Sequence, residues 1–163
     1  MATRILIADD DDTILKAVAR ALSSEGFEVD TARDAREVMD MAARQSYDVA
    51  LIDYMLGRDN GLRVLGSLAT MQPDCARAVM TSHRNLSPMD AVNVAQAEMV
   101  VLKRGVGLSQ LVNMVHDLLR ERSKLAETSP LANAEGGLDT TRKNLEAALQ
   151  PGALRLFAQP IVR

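Results

Sequence analysis

The chain has 163 residues, 47% of them hydrophobic but only 2% aromatic, and a net charge of −3. That length suffices for one aliphatic core with residues to spare, and the charge gives no reason to expect nucleic acid or an anionic membrane as partner. A single cysteine, Cys75, excludes an intrachain disulfide, and no apolar run approaches the ~20 residues that span a bilayer. With no signal-peptide core behind Met1-Ala2-Thr3-Arg4, the expectation is a soluble, cytoplasmic chain.

Taken in order, apolar runs alternate with helical patterns, the signature of βαβ units and a parallel sheet. Residues 4–8 read as the first strand, and residues 12–25 as a helix with Ile14, Leu15, Val18, Ala19 and Leu22 on one side and Gly26 as its stop. A short second strand follows at 27–31, then a helix over 35–45 with Val38, Met39, Ala42 and Ala43 inward. The fully apolar run at 48–52 reads as a central strand. A helix over 61–71 and a fourth strand at 76–80 come next. A small Ala-rich helix over 88–96, a strand at 98–102 and a long helix from 107 to about 125 complete the set. The expected fold is α/β, a doubly wound five-stranded parallel sheet of order 2-1-3-4-5, flavodoxin-like, with a C-terminal helix-strand extension.

Residues 1–125 form the first domain in this reading, and the stretch 126–138, with Ser129-Pro130 and Gly136-Gly137, is a linker by composition. In residues 139–163, Asp139 would cap a helix over 140–149, Pro151-Gly152 would break it, and 154–158 reads as a strand. One helix and one strand cannot bury a core alone, and an apolar strand left unpaired is an exposed edge. Such a tail must dock on the first domain, pair elsewhere, or begin a second domain.

Polar residues recur where the apolar runs stop. Asp9-Asp10-Asp11-Asp12 follow the first strand, Asp53 the third, Thr81 the fourth and Lys103 the fifth. In the order 2-1-3-4-5 the first and third strands are neighbours, so Asp9, Asp10 and Asp53 converge at the carboxyl edge, where open α/β sheets place their sites. Converging carboxylates call for a cation, and a hard Mg²⁺ suits two carboxylates, a backbone carbonyl and waters. One Asp oxygen would remain free to attack a phosphoryl donor, with Lys103 and Thr81 facing the phosphoryl oxygens. Simpler roles are assigned elsewhere. Asp11 and Asp12 suit a helix amino terminus, His83 and His116 read as solvated residues, and Cys75 reads as a small buried hydrophobe. The nine methionines look like core filler, and Arg120-Glu121-Arg122-Ser123-Lys124 like a solvated helix end.

With its spacings, this constellation resembles the receiver (CheY-like) domain of two-component response regulators across residues 3–123. The resemblance rests on Ile7-Ala8-Asp9-Asp10, on Asp53-Tyr54-Met55-Leu56-Gly57-Arg58-Asp59-Asn60-Gly61, on Met80-Thr81-Ser82 and on Lys103. It implies that Asp53 is the phosphoacceptor for a histidine kinase or phosphotransfer protein. Asp9, Asp10, Asp53 and the Met55 carbonyl would hold Mg²⁺, and Thr81 and Lys103 would contact the phosphoryl group. The surface of the 88–96 helix, the 98–102 strand and the final helix would read the change and could form a homodimer. Gly57 and Arg104 stand where the family usually has proline, and Val100 replaces its usual switching aromatic. Met55 and His83 flank the expected path of the hydrolytic water, and an apolar Met55 is expected to slow loss of the phosphoryl group. These departures keep open a phosphorylation-independent pseudo-receiver that acts as an interaction or dimerisation module. A phosphatase of similar fold with an aspartyl nucleophile generally has a second Asp where this chain has Met55.

Leu145 to Val162 resembles the opening helix and first strand of an EAL domain, a cyclic di-GMP phosphodiesterase, with Gln159 matching the family's glutamine near the nucleotide. The Glu-Ala-Leu signature and the metal-binding carboxylates after it are absent from residues 139–163. The implied role is a receiver regulating an EAL output domain, without phosphodiesterase activity in this chain.

Overall fold

A computed structural model of the chain describes residues 2–82 and 97–128, with side chains to residue 124, and the backbone of residues 155–156. Strands β1 (Arg4–Ala8), β2 (Glu28–Ala32), β3 (Val49–Asp53), β6 (Ala76–Thr81) and β7 (Met99–Leu102) form a parallel sheet of order β2-β1-β3-β6-β7. This is the doubly wound order expected from the sequence, with the all-buried β3 at its centre. Two features add to this order, the first lying within the strand expected at 154–158 and the second not anticipated from the sequence. A two-residue strand β8 (Arg155–Leu156) extends the sheet, Met99 pairing with Arg155 and Val100 with Leu156 in parallel. The chain between Asp53 and Gly61 also folds back as an antiparallel hairpin of β4 (Met55–Leu56) and β5 (Asp59–Asn60).

Alternation along the strands produces two cores, because successive side chains point to opposite faces. Leu6, Ala8, Ala50, Ile52, Val79 and Val100 face α2 (Ala35–Arg44) and α3 (Gly61–Met71). Ile5, Ile7, Leu51, Ala78, Met80 and Val101 face α1 (Asp12–Ser24) and α4 (Leu108–Thr128). Both cores are largely aliphatic, with Tyr47 the one buried aromatic among the described residues. Cys75 is buried as expected, and burial pushes its thiol pKa up to about 12.

The helices bury the stripes their periodicity predicts, with edge differences. Ala43 is exposed, since helical rotation carries it past the line of Val38 and Ala42. Leu108 is 45% exposed at the first turn of α4, while Met114 joins the core beside Val115 and Leu118. The second strand is shifted by one residue relative to the expected 27–31, and α4 runs to Thr128 rather than about 125. Among the described residues no helix is long and apolar enough to cross a membrane. The expected 88–96 helix, His83, Asp139 and the 140–149 helix lie outside the described residues.

Candidate functional site

The carboxyl edge of the sheet collects the polar residues because each strand ends in register with its neighbour. Ala8 pairs with Ile52, Asp53 with Met80, and Thr81 with Leu102, so the residues just beyond share one rim. Asp9 leaves β1 fully buried, its N–H donating to the Ala32 carbonyl at 3.2 Å. Its Oδ1 accepts the Asp11 N–H at 3.0 Å. Asp10, beside it, is exposed. Asp11 is the N-cap of α1 and accepts from the N–H groups of Thr13 and Ile14, which hold its carboxyl below the ordinary range. Asp12 sits in the first turn of α1, so the four consecutive aspartates divide between rim and helix cap.

Asp53 and Thr81 are buried, and the Lys103 side chain is 14% exposed. Lys103 bridges two carboxylates, with Nζ 2.5 Å from Asp9 Oδ2 and 2.8 Å from Asp53 Oδ2. Beyond that ion pair, Asp9 Oδ2 accepts no hydrogen bond. Burial raises the Asp53 pKa above the usual carboxylate value, against the pull of Lys103 and of the Met55 N–H that donates to it. Burial disfavours the charged Lys103, but its hydrogen bonds and charge contacts with Asp53 and Asp9 prevail and its pKa rises. The Lys103 N–H also donates to the Thr81 carbonyl at 2.8 Å, which ties the ends of β6 and β7 together.

Carboxylate oxygens of Asp9, Asp10 and Asp53 lie within 4.8 Å of one another. Three carboxylates against one ammonium leave an excess of negative charge at a partly buried rim, and the donor set is all oxygen. That combination fits a hard divalent cation such as Mg²⁺ better than a soft metal, with Asp9 Oδ2 able to exchange its Lys103 contact for an ion.

The other singled-out residues separate cleanly. Met55 is 49% exposed beside Asp53, whereas Val100 is packed in the core facing α2 and α3. His116 is not at the rim; its ring lies 5.1 Å from that of Phe27, with Nε2 3.9 Å from Glu25. The Arg120–Lys124 run is not wholly solvated. Arg122 is part-buried and donates to Glu98 Oε1 at 2.8 Å and to the Pro73 and Cys75 carbonyls at 3.1 Å each. Its partners lie 24 to 49 residues away, so no local pattern reveals them.

A doubly wound sheet with an acidic cluster and a lysine at its switch point defines a flavodoxin-like α/β protein with a charged carboxyl edge. The family model described as "Response regulator receiver domain" matches residues 5–116, and the chain belongs to that family. It is 33% identical over 99 residues to the alginate biosynthesis transcriptional regulatory protein AlgB of Pseudomonas putida, covering 60% of this chain and 22% of that protein. It is 28% identical over 157 residues to the response regulator MprA of Mycolicibacterium vanbaalenii, covering 94% of this chain and 68% of MprA. The chain therefore spans less than a quarter of that AlgB and about two thirds of that MprA. Among solved structures, a CheY-like response regulator receiver domain protein from Methanospirillum hungatei superposes with a TM-score of 0.71 at 28% identity, covering 76% of this chain and 98% of that one. The Thermotoga maritima response regulator TrrA, in complex with Mg²⁺ and BeF, gives 0.64 at 25% identity over 71% of this chain and 98% of its own.

Proposed function

We propose that this receiver takes a phosphoryl group on Asp53 from a histidine kinase or phosphotransfer protein, with Mg²⁺ held by Asp9, Asp10, Asp53 and the Met55 carbonyl. The observation that carries the reading is the rim itself: three carboxylates within 4.8 Å, two of them clamped by Lys103. An Asp53 carboxylate oxygen attacks phosphorus, the bond from phosphorus to the donor breaks, and the donor leaves with the electron pair. Mg²⁺ held by these residues would supply positive charge against the negative charge on the phosphoryl oxygens. Lys103 Nζ turns from the Asp53 carboxylate to a phosphoryl oxygen, and Thr81 donates its hydroxyl to another. Burial disfavours the bare Asp53 charge, and a cation held at the rim would offset that cost.

Regulation of an EAL-type cyclic di-GMP phosphodiesterase output is the accompanying proposal, carried by the resemblance of Leu145 to Val162. Because Val100 is a core aliphatic, the conformational response runs through Thr81 and the β6–β7 ends rather than through an aromatic rotamer. Met55, half exposed beside Asp53, covers the approach of the hydrolytic water and prolongs the phosphorylated state.

The test is incubation with Mg²⁺ and acetyl phosphate or beryllofluoride, read by intact mass and size exclusion, with Asp53→Asn as control. A mass gain that disappears in the variant is expected, and a gain retained by the variant would overturn the assignment of Asp53. No gain at saturating Mg²⁺ would favour a phosphorylation-independent docking module. Met55→Asn is expected to speed dephosphorylation, and an unchanged decay rate would remove the shielding role.

A further inference from the structure

Between the phosphoacceptor and α3 the backbone closes a loop on itself. Asp53 ends β3; the Met55 N–H donates to the Asp53 carboxylate; Met55 pairs with Asn60, and Leu56 with Asp59, across the β4–β5 hairpin. Gly61 then returns to the start of the loop, its N–H donating to the Tyr54 carbonyl at 2.8 Å. The approach is closer than any other residue permits. A Cβ on Gly61 would stand 1.8 Å from the Asp53 carbonyl oxygen and 2.8 Å from its carbon. The hairpin turns at Gly57, whose φ is +64°, with nothing within 4 Å of where its Cβ would be. Its requirement is therefore conformational, and that of Gly61 is steric.

We propose that Tyr54–Gly61 is a glycine-closed clasp that positions the Asp53 carboxylate and the Met55 backbone for Mg²⁺, with Gly57 and Gly61 as its positioning residues. The proposal deepens the receiver reading of this site and rests on it. It also accounts for the missing proline. A proline at 57 would require φ near −65°, on the other side of the conformational map from +64°. Cross-strand pairing and a left-handed glycine set the loop's shape in this chain, so the residue usual in the family does not fit.

Groups that orient metal ligands without touching the metal typically alter affinity by about 10- to 100-fold when removed. Gly61→Ala, Gly57→Pro and Gly57→Asn are compared in the full chain. Mg²⁺ affinity is read by calorimetry, thermal stability without Mg²⁺ is read separately, and phosphorylation by acetyl phosphate is followed in parallel. Gly57→Pro is expected to weaken Mg²⁺ binding about tenfold or more. Gly57→Asn, which tolerates the left-handed backbone, should restore most of it. Gly61→Ala should weaken Mg²⁺ binding at least as much as the proline variant. Should Gly61→Ala fail to fold, the two solvent-facing Gly57 variants still decide the matter. Wild-type Mg²⁺ affinity in Gly57→Pro, or a loss of thermal stability with affinity unchanged, would overturn the clasp. If wild type binds Mg²⁺ and takes up no phosphoryl group, the phosphoacceptor reading fails and the affinities still test the clasp.

Discussion

Polar residues at the two ends of the sheet are treated in opposite ways. At the carboxyl edge Asp9, Asp10, Asp53 and Lys103 keep more negative than positive charge. At the amino edge the buried Tyr47 hydroxyl donates to Asp30 Oδ2 at 2.9 Å, Gln45 Nε2 also donates to Asp30, and Arg4 Nη1 donates to Gln45 at 3.0 Å. Burial pushes the Tyr47 pKa up from 10.0 to about 12. A group whose pKa rises on folding contributes stability in full below its unfolded value and loses it as pH climbs through the folded one. Tyr47 should therefore draw stability down between pH 10 and about 12. Tyr47→Phe is expected to lose roughly 1 kcal/mol at neutral pH, the net worth of a hydrogen bond. It should fall less steeply above pH 10, and urea titrations at pH 8 and pH 11 measure the difference. The rim was legible in the sequence because one rule, polar residues after apolar runs, finds all of it. Tyr47 was not, since Asp30 lies 17 residues away and neither residue interrupts a pattern.

Elements were legible to the extent that periodicity defines them. The 3.6-residue spacing of Leu111, Val115 and Leu118 identifies α4 and its buried side, and β3 is plain from five apolar or strand-ending residues in a row. The β4–β5 hairpin has two residues per strand, too few for any period, and its turn depends on a backbone angle at Gly57. The late turns of α4 are likewise held by contacts that no pattern reveals. Arg122 fastens its last turns to Glu98 and to the Pro73 and Cys75 carbonyls, while Arg77 Nη2 approaches Glu98 at 3.5 Å. Arg122→Ala removes this fastening without opening either core. Amide exchange is expected to accelerate in the turns of α4 after Leu118 and to stay unchanged in β1 and β3. Equal protection throughout α4 would show that the helix needs no such anchor. Since α4 leads into the chain beyond Thr128, the same variant measures how firmly the receiver holds its connection to whatever follows.

At the scale of the whole molecule the sheet's two aliphatic faces stabilise the fold, and the rim at its carboxyl edge works against it. Asp9 and Asp53 are buried beside exposed Asp10, with Lys103 as the cation that bridges the buried pair. A divalent ion that binds the folded rim and not the unfolded chain must then stabilise the protein by mass action. The gain is about 1.4 kcal/mol at ten times its Kd and about 2.7 kcal/mol at a hundred times. The expected result is a denaturation midpoint that rises with Mg²⁺ while the denaturant slope stays constant, because the surface exposed on unfolding is unchanged. Monovalent salt should reproduce little of the rise, since screening acts weakly on buried charges. Asp10→Asn serves as the discriminating variant: Asp10 is exposed, so its replacement leaves packing intact while removing one negative charge and one carboxylate oxygen from the proposed ion site. It should be at least as stable as wild type without Mg²⁺ and gain less when Mg²⁺ is added. An Asp10→Asn protein that gains as much as wild type would place the ion elsewhere, and the tension at this rim would then be relieved by Lys103 alone.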